Sequence, residues 1–156
     1  MEATIAPLQE TETQSLGASH EKSRHDEKTT LRVLVAEDDP AMRAVLAWNL
    51  KACGYQVAEA KDGLELVRRL NLPFFESDSV GRQREFDIIV SDIRMPGLSS
   101  LQALKILRAR DPVTPIILIT AFGDQITHFE ALEAGANVVL DKPFDIDDPV
   151  DLLRRL

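Results

Sequence analysis

The sequence predicts a doubly wound α/β protein, a five-stranded parallel sheet with helices on both faces. Three observations carry this. Short apolar, β-prone runs alternate with stretches of helical apolar spacing, the pattern that βαβ units require. Four of the runs, over 31–36, 86–90, 115–121 and 137–140, read as strands, and Phe86 to Val90 as one buried on both faces. Each of the four also closes on residues able to do chemistry: Glu37-Asp38-Asp39, Ser91-Asp92, Thr120-Ala121 and Asp141-Lys142.

Residues 1–30 hold six acids against three Lys or Arg, a net −3 of the chain's −8, and are rich in Glu, Thr, Ser and Gln. So polar a segment cannot bury enough surface to offset its ordering entropy. It is expected to be a disordered extension, with the folded domain over 31–156. Strand one is Leu31 to Ala36. Asp39 is placed to cap the helix that Pro40 opens, which leaves Glu37 and Asp38 without so plain a role.

Met42, Val45, Leu46, Asn49, Leu50 and Cys53 then recur at helical spacing, and Gly54 ends that helix. Gln56 to Ala60 is a second strand, less apolar than the rest and so expected at an edge. Asp62-Gly63 turns into a short helix with Leu64, Val67 and Leu70 on one face. Asn71 to Glu85, with Pro73 and Gly81, is a longer loop than an α/β connection needs, with Phe74 and Phe75 placed to pin it.

Phe86 to Val90 is the third strand. Its apolar run stops at Ser91-Asp92, and Pro96-Gly97 marks a turn. Helix three spans about Ser99 to Arg110, presents Leu101, Leu104 and Leu107, and is ended by Asp111-Pro112. Pro115 to Ala121 is strand four, helix four runs from Asp124 to Ala134 before Gly135, and Asn137 to Leu140 is strand five. A short helix over Asp147 to Leu156 closes the chain.

Of the two common doubly wound orders, the flavodoxin-like 2-1-3-4-5 sets strands one and three side by side at the switch point, where such sheets bind ligands. Asp38 and Asp92 would then face each other across that crevice. No glycine-rich phosphate loop follows strand one, which disfavours a nucleotide fold.

Composition narrows the function further. A chain of 156 residues, 44% of them apolar, suits one soluble domain with a real core. Lys and Arg number 18 against 26 acids with no basic run, so nucleic acid has no electrostatic footprint here. The sole cysteine, Cys53, cannot form an internal disulfide and is expected to be a buried helix residue. Of the three histidines, His20 and His25 fall in the polar N-terminal segment; His128 alone is left for the domain, little material for histidine catalysis. No stretch reaches the length of a membrane span, no signal sequence opens the chain, and a cytoplasmic location is expected.

Glu37-Asp38, Asp92 with Met95-Pro96-Gly97, Thr120-Ala121 and Lys142-Pro143-Phe144 together resemble the signature of response-regulator receiver domains of two-component signalling. The resemblance covers about Leu31 to Leu156, and the single-domain, chemotaxis-regulator-like type is the one it suggests. Each piece is weak alone. Four in order, each closing a strand, are strong.

The resemblance implies a phosphorylation-dependent switch, with Asp92 accepting a phosphoryl group from a histidine kinase or phosphotransfer protein. Three clustered carboxylates call for a hard cation, and oxygen ligands with room for water and phosphate suit Mg²⁺. By resemblance that site takes Glu37 (through water), Asp38, Asp92 and the backbone carbonyl of Arg94. Lys142 pairs with Asp92 and then with a phosphoryl oxygen, and Thr120 donates to another. The new contacts exist in one state only, and that difference shifts a partner-binding surface. The chain would be no enzyme beyond self-phosphorylation and self-dephosphorylation. Its partners would be the phosphodonor and a downstream protein target, with no output domain, since about a dozen residues follow Phe144.

Departures from the family pattern are expected to matter. Glu37 stands where Asp is commoner. Val139 stands where an aromatic switch residue is usual, and cannot swing as a tyrosine does. Ser99-Ser100 replaces an acidic-glycine turn, and the short last helix trims a face that receivers use for partners. Arg94 and Phe122 flank the approach of a hydrolytic water; Phe122 has no group to orient one, so slow dephosphorylation is expected. Two other readings stand beside this one. One is a receiver-shaped binding module acting without phosphorylation through its helix-four, strand-five surface. The other, an aspartyl phosphohydrolase, is disfavoured because Arg94 stands where that family places an acid.

Overall fold

The computed structural model describes residues 30–72, 85–121 and 123–156. The expectations for the N-terminal extension, for Phe74 and Phe75 and for Phe122 lie outside the described residues. Five strands and five helices alternate: β1 (Arg32–Ala36), α1 (Pro40–Ala52), β2 (Gln56–Ala60), α2 (Gly63–Arg69), β3 (Ile88–Asp92), α3 (Ser100–Arg108), β4 (Ile116–Thr120), α4 (Gln125–Glu133), β5 (Val138–Asp141) and α5 (Asp148–Leu153). The sheet is parallel throughout with the order β2-β1-β3-β4-β5, so β2 is the edge strand its composition suggested.

The side-chain period of two splits the strands between two cores. On one face Val33, Val35, Ile88, Val90, Ile117 and Ile119 pack with Leu46 and Leu50 of α1 and Val150 and Leu153 of α5. On the other, Leu34, Ala36, Ile89, Ile116 and Leu118 pack with Leu66 and Val67 of α2, Leu104 and Leu107 of α3 and Ala131 of α4. β3 and β4 are buried along their whole length, as strands covered by helices on both sides must be.

Four helices begin on side-chain caps, three of them from aspartates. Asp39 Oδ1 accepts from Met42 N at 2.7 Å with Pro40 next in line, Asp62 Oδ1 accepts from Glu65 N at 2.7 Å, and Asp124 Oδ1 accepts from Thr127 N at 2.7 Å. Ser99 and Gln102 form a reciprocal capping box at α3, which gives the Ser99-Ser100 pair a structural role.

The structure corrects several expectations. Cys53 is exposed, not buried, because α1 ends one residue earlier and Cys53 is its C-cap. Val45 faces solvent beside Trp48, which is 70% exposed; the inward stripe of α1 is Leu46, Ala47, Asn49 and Leu50. Leu64 points outward, and Leu66 takes the buried position in α2. Ser91 and Asp92 belong to β3 instead of following it, since their backbone pairs with Leu118 and Ile119.

Candidate functional site

The C-terminal ends of β1 and β3 are neighbours, with Ala36 paired to Ser91, so Glu37 and Asp92 emerge side by side at the switch point. Glu37, Asp38 and Asp92 each bring a carboxylate oxygen within 4.8 Å of the others. Glu37 and Asp92 are buried, at 1% and 6% exposure, while Asp38 opens to solvent. This is the crevice the strand order predicted, with Glu37 drawn further into it than its neighbour.

β4 and β5 complete the site. Thr120, fully buried, ends β4 one residue beyond the partner of Asp92, and its carbonyl accepts from Lys142 N at 2.7 Å. That bond aims the Lys142 side chain back across the strand ends. Its Nζ donates to Asp92 Oδ2 at 2.6 Å and to Glu37 Oε2 at 2.8 Å. The remaining carboxylate oxygens meet backbone N–H groups: Asp92 Oδ1 accepts from Arg94 N at 2.8 Å, and Glu37 Oε1 accepts from Asp39 N at 3.3 Å.

The electrostatics follow from this crowding. Burial pushes the Glu37 carboxyl above the usual carboxylate range, and the Asp92 charge adds to it, against the pull of Lys142. Burial works against the Lys142 charge, but hydrogen bonds to Asp92 and Glu37 outweigh it and hold the ammonium above its ordinary range. With all four groups charged, three carboxylates face one ammonium, a net −2. A divalent cation matches that deficit. Oxygen-only donors, one of them facing water, suit a hard cation such as Mg²⁺ that keeps several waters. The residues present fit it.

The structure thus brings together the side chains of Glu37, Asp38, Asp92 and Lys142, and sets buried Thr120 at the neighbouring strand end, all of them residues named from the sequence. Arg94 follows with its side chain exposed and its amide on Asp92. Ala121 is exposed and Val139 is half-buried against the core of the α3 face.

Three contributors were not picked out from the sequence. Arg43 Nη1 donates to the Glu37 carbonyl at 2.7 Å, fixing the acidic segment to α1; a lone base one turn into the helix after an acid run was the available signal. Buried Ser100 donates from Oγ to the Asp92 carbonyl and lies 2.8 Å from Ser91 Oγ, locking β3 to the start of α3. His128 of α4 pairs with Asp141 Oδ1 at 2.8 Å, beside Lys142. No sequence pattern marks either of these last two contacts.

Residues 33–154 match the response regulator receiver domain family. The chain is 35% identical over 123 residues to the DNA-binding transcriptional regulator NtrC of Escherichia coli (strain K12), covering 79% of this chain and 24% of that protein. It is 35% identical over 124 residues to the C4-dicarboxylate transport transcriptional regulatory protein DctD of Pseudomonas aeruginosa, covering 80% and 24%. The chain spans about a quarter of the length of these relatives. Among solved structures, the receiver domain of Francisella response regulator 1452 is similar at 29% identity and a TM-score of 0.69, over 81% of this chain and 95% of that one. The receiver domain of the sensor histidine kinase PA1611 of Pseudomonas aeruginosa PAO1, which has a magnesium ion coordinated in its active site cleft, is 30% identical with a TM-score of 0.67, over 81% and 96%.

Proposed function

The chain belongs to the response regulator receiver domain family, and on that premise we propose that Asp92 is its phosphoacceptor in a signalling switch that rearranges a protein-binding surface. One observation carries this reading: Lys142 Nζ bridges Asp92 and Glu37 at 2.6 and 2.8 Å while Asp38 closes the acidic cluster. Structural ion pairs rarely gather three acids, a lysine and a buried hydroxyl at the ligand-binding edge of a parallel sheet.

Asp92 acts as the nucleophile. A carboxylate oxygen attacks the phosphorus of a phosphoimidazole or a small acyl phosphate, the bond to the donor's nitrogen or oxygen breaks, and the electron pair leaves with the donor. Glu37, Asp38, Asp92 and the Arg94 carbonyl would hold Mg²⁺, which neutralises charge as the phosphoryl group approaches. Lys142 exchanges its bond to Asp92 for one to a phosphoryl oxygen, and Thr120 donates to a second. Because Thr120 ends β4 and Lys142 directly follows β5, their new contacts draw on β5 and the connection into α4, and this supplies the differential that shifts the surface.

The phosphodonor is a histidine kinase or phosphotransfer protein, the receiver of the signal a downstream protein, and the location cytoplasmic; among the described residues no helix is long and apolar enough to cross a membrane. Self-phosphorylation and self-dephosphorylation are its only reactions in this reading. The intact set Asp38, Asp92, Thr120 and Lys142 supports it over a phosphorylation-independent module. Incubation with acetyl phosphate tests it: phosphoryl incorporation should require Mg²⁺ and stop with a chelator. Incorporation indifferent to the chelator would contradict it.

A further inference from the structure

We propose that Gly63, the first residue of α2, is a positioning residue for the cation site, because it lets the main chain of the β3–α3 loop seat directly on the helix. This rests on the cation reading above and extends it to a residue outside the acidic cluster. A Cβ built on Gly63 would lie 1.7 Å from the Leu98 carbonyl oxygen, 2.7 Å from its carbon and 3.2 Å from Leu98 Cα. Carbon and carbonyl oxygen ordinarily approach to about 3.3 Å, so any side chain here demands a shift on the order of 1.5 Å. The obstacle is backbone, which cannot rotate aside. Among the described glycines this is unique: Gly54 and Gly97 face open space, and Gly123 and Gly135 abut side chains.

Both partners in the contact are anchored. α2 is held by the Asp62 cap, by Glu65 Oε2 accepting from Lys61 N at 3.1 Å, and by Leu66 and Val67 in the core. The loop is held at its start by Ile93, which is buried and whose N donates to the Ile119 carbonyl at 2.8 Å. Ser100 secures its far end through the Asp92 carbonyl. Between those anchors lie Arg94 to Ser99, with the turn at Pro96-Gly97, where Gly97 has φ +84°. A push on Leu98 therefore travels back toward Arg94, whose amide holds Asp92 and whose carbonyl is a proposed ligand. Mg²⁺ demands near-ideal geometry at about 2.0–2.1 Å, so a carbonyl displaced by a fraction of an ångström is a poorer ligand.

The test compares Mg²⁺ binding, followed by amide NMR shifts, in the parent protein, in Gly63→Ala and in Val67→Ala, which loosens the packing of α2 but leaves the Gly63–Leu98 backbone approach unfilled. Gly63→Ala should bind at least about fivefold more weakly and, without metal, should shift the amides of 94–98. Val67→Ala should stay within about twofold of the parent. By linkage, Mg²⁺ should also protect the first-turn amides of α2 from hydrogen exchange in the parent, a measurement that decides the matter even where Gly63→Ala fails to fold. Parent-like binding by Gly63→Ala, equal weakening in Val67→Ala, or no protection of α2 overturns the proposal. A parent protein that binds no Mg²⁺ overturns the cation reading itself.

Discussion

Lys142 Nζ lies 2.6 Å from Asp92 Oδ2, although fifty positions separate the two residues in the chain. The same ammonium sits 2.8 Å from Glu37 Oε2, so one cation is shared by two buried carboxylates. Lys142→Ala leaves those carboxylates facing each other with nothing between them. Losing a charged hydrogen-bond partner costs about 1–3 kcal/mol, and urea unfolding without metal should show a loss in that range. Saturating Mg²⁺ should restore much of it, since a ligand that binds only the folded state stabilises it by mass action. Equal losses with and without Mg²⁺ would mean that the cation does not enter this cluster.

Asp38 is the exposed member of the acidic triad and supports no core contact. Asp38→Ala should unfold at the parental urea concentration while binding Mg²⁺ at least tenfold more weakly, a loss of about 1.4 kcal/mol. An unchanged calorimetric titration would remove Asp38 from the site.

Glu37 supplies a pH dependence whose sign is fixed by its burial. A carboxyl held above its ordinary range takes up a proton more readily in the folded protein than in the unfolded chain. Its contribution to stability is therefore present at acid pH and lost as pH rises through the folded-state value. Glu37→Gln cannot titrate, so without metal its stability relative to the parent should improve as pH rises from acid to neutral. Urea unfolding of both proteins across that range measures the difference; a difference that stays constant with pH contradicts the assignment.

Away from the site, loss of Arg108 should cost stability with little effect on chemistry. Its guanidinium donates to the Gly135 carbonyl at 2.9 and 2.8 Å, to the carbonyls of Asp111 and Thr114 at 3.1 and 2.8 Å, and to Asn137 Oδ1 at 3.1 Å. These bonds tie α3 to the loops entering β4 and β5. Arg108→Lys keeps the charge but not the planar fork, and should lose about 1–3 kcal/mol by urea unfolding. Its Mg²⁺ affinity should match the parent's.

The fold was legible because apolar runs and their terminating residues carried the same message. Ile116 to Thr120 is uniformly β-prone and buried, and its last residue is the hydroxyl proposed to contact a phosphoryl oxygen. Glu37, Asp92 and Lys142 were legible as chemistry since each is a charge at the end of an apolar strand. The orientation of α1 was not. Val45 and Trp48 look like core residues by type, yet helical phase turns them outward, and one residue of drift at the C-cap put Cys53 in solvent. The Gly63–Leu98 contact was hidden for a different reason, since a backbone approach between distant segments leaves no side-chain signature.

Asp92 is expected to be the sole phosphoacceptor: Glu37 shares Lys142 and the acidic cluster with it but is more deeply buried, at 1% exposure against 6%. Mass-spectrometric mapping after incubation with acetyl phosphate and Mg²⁺ tests it most directly, on the parent protein and on Asp92→Asn side by side. One modified residue, Asp92, is expected in the parent and none in the variant. Stoichiometric labelling that persists in Asp92→Asn, or that maps to another residue of the parent, would contradict it.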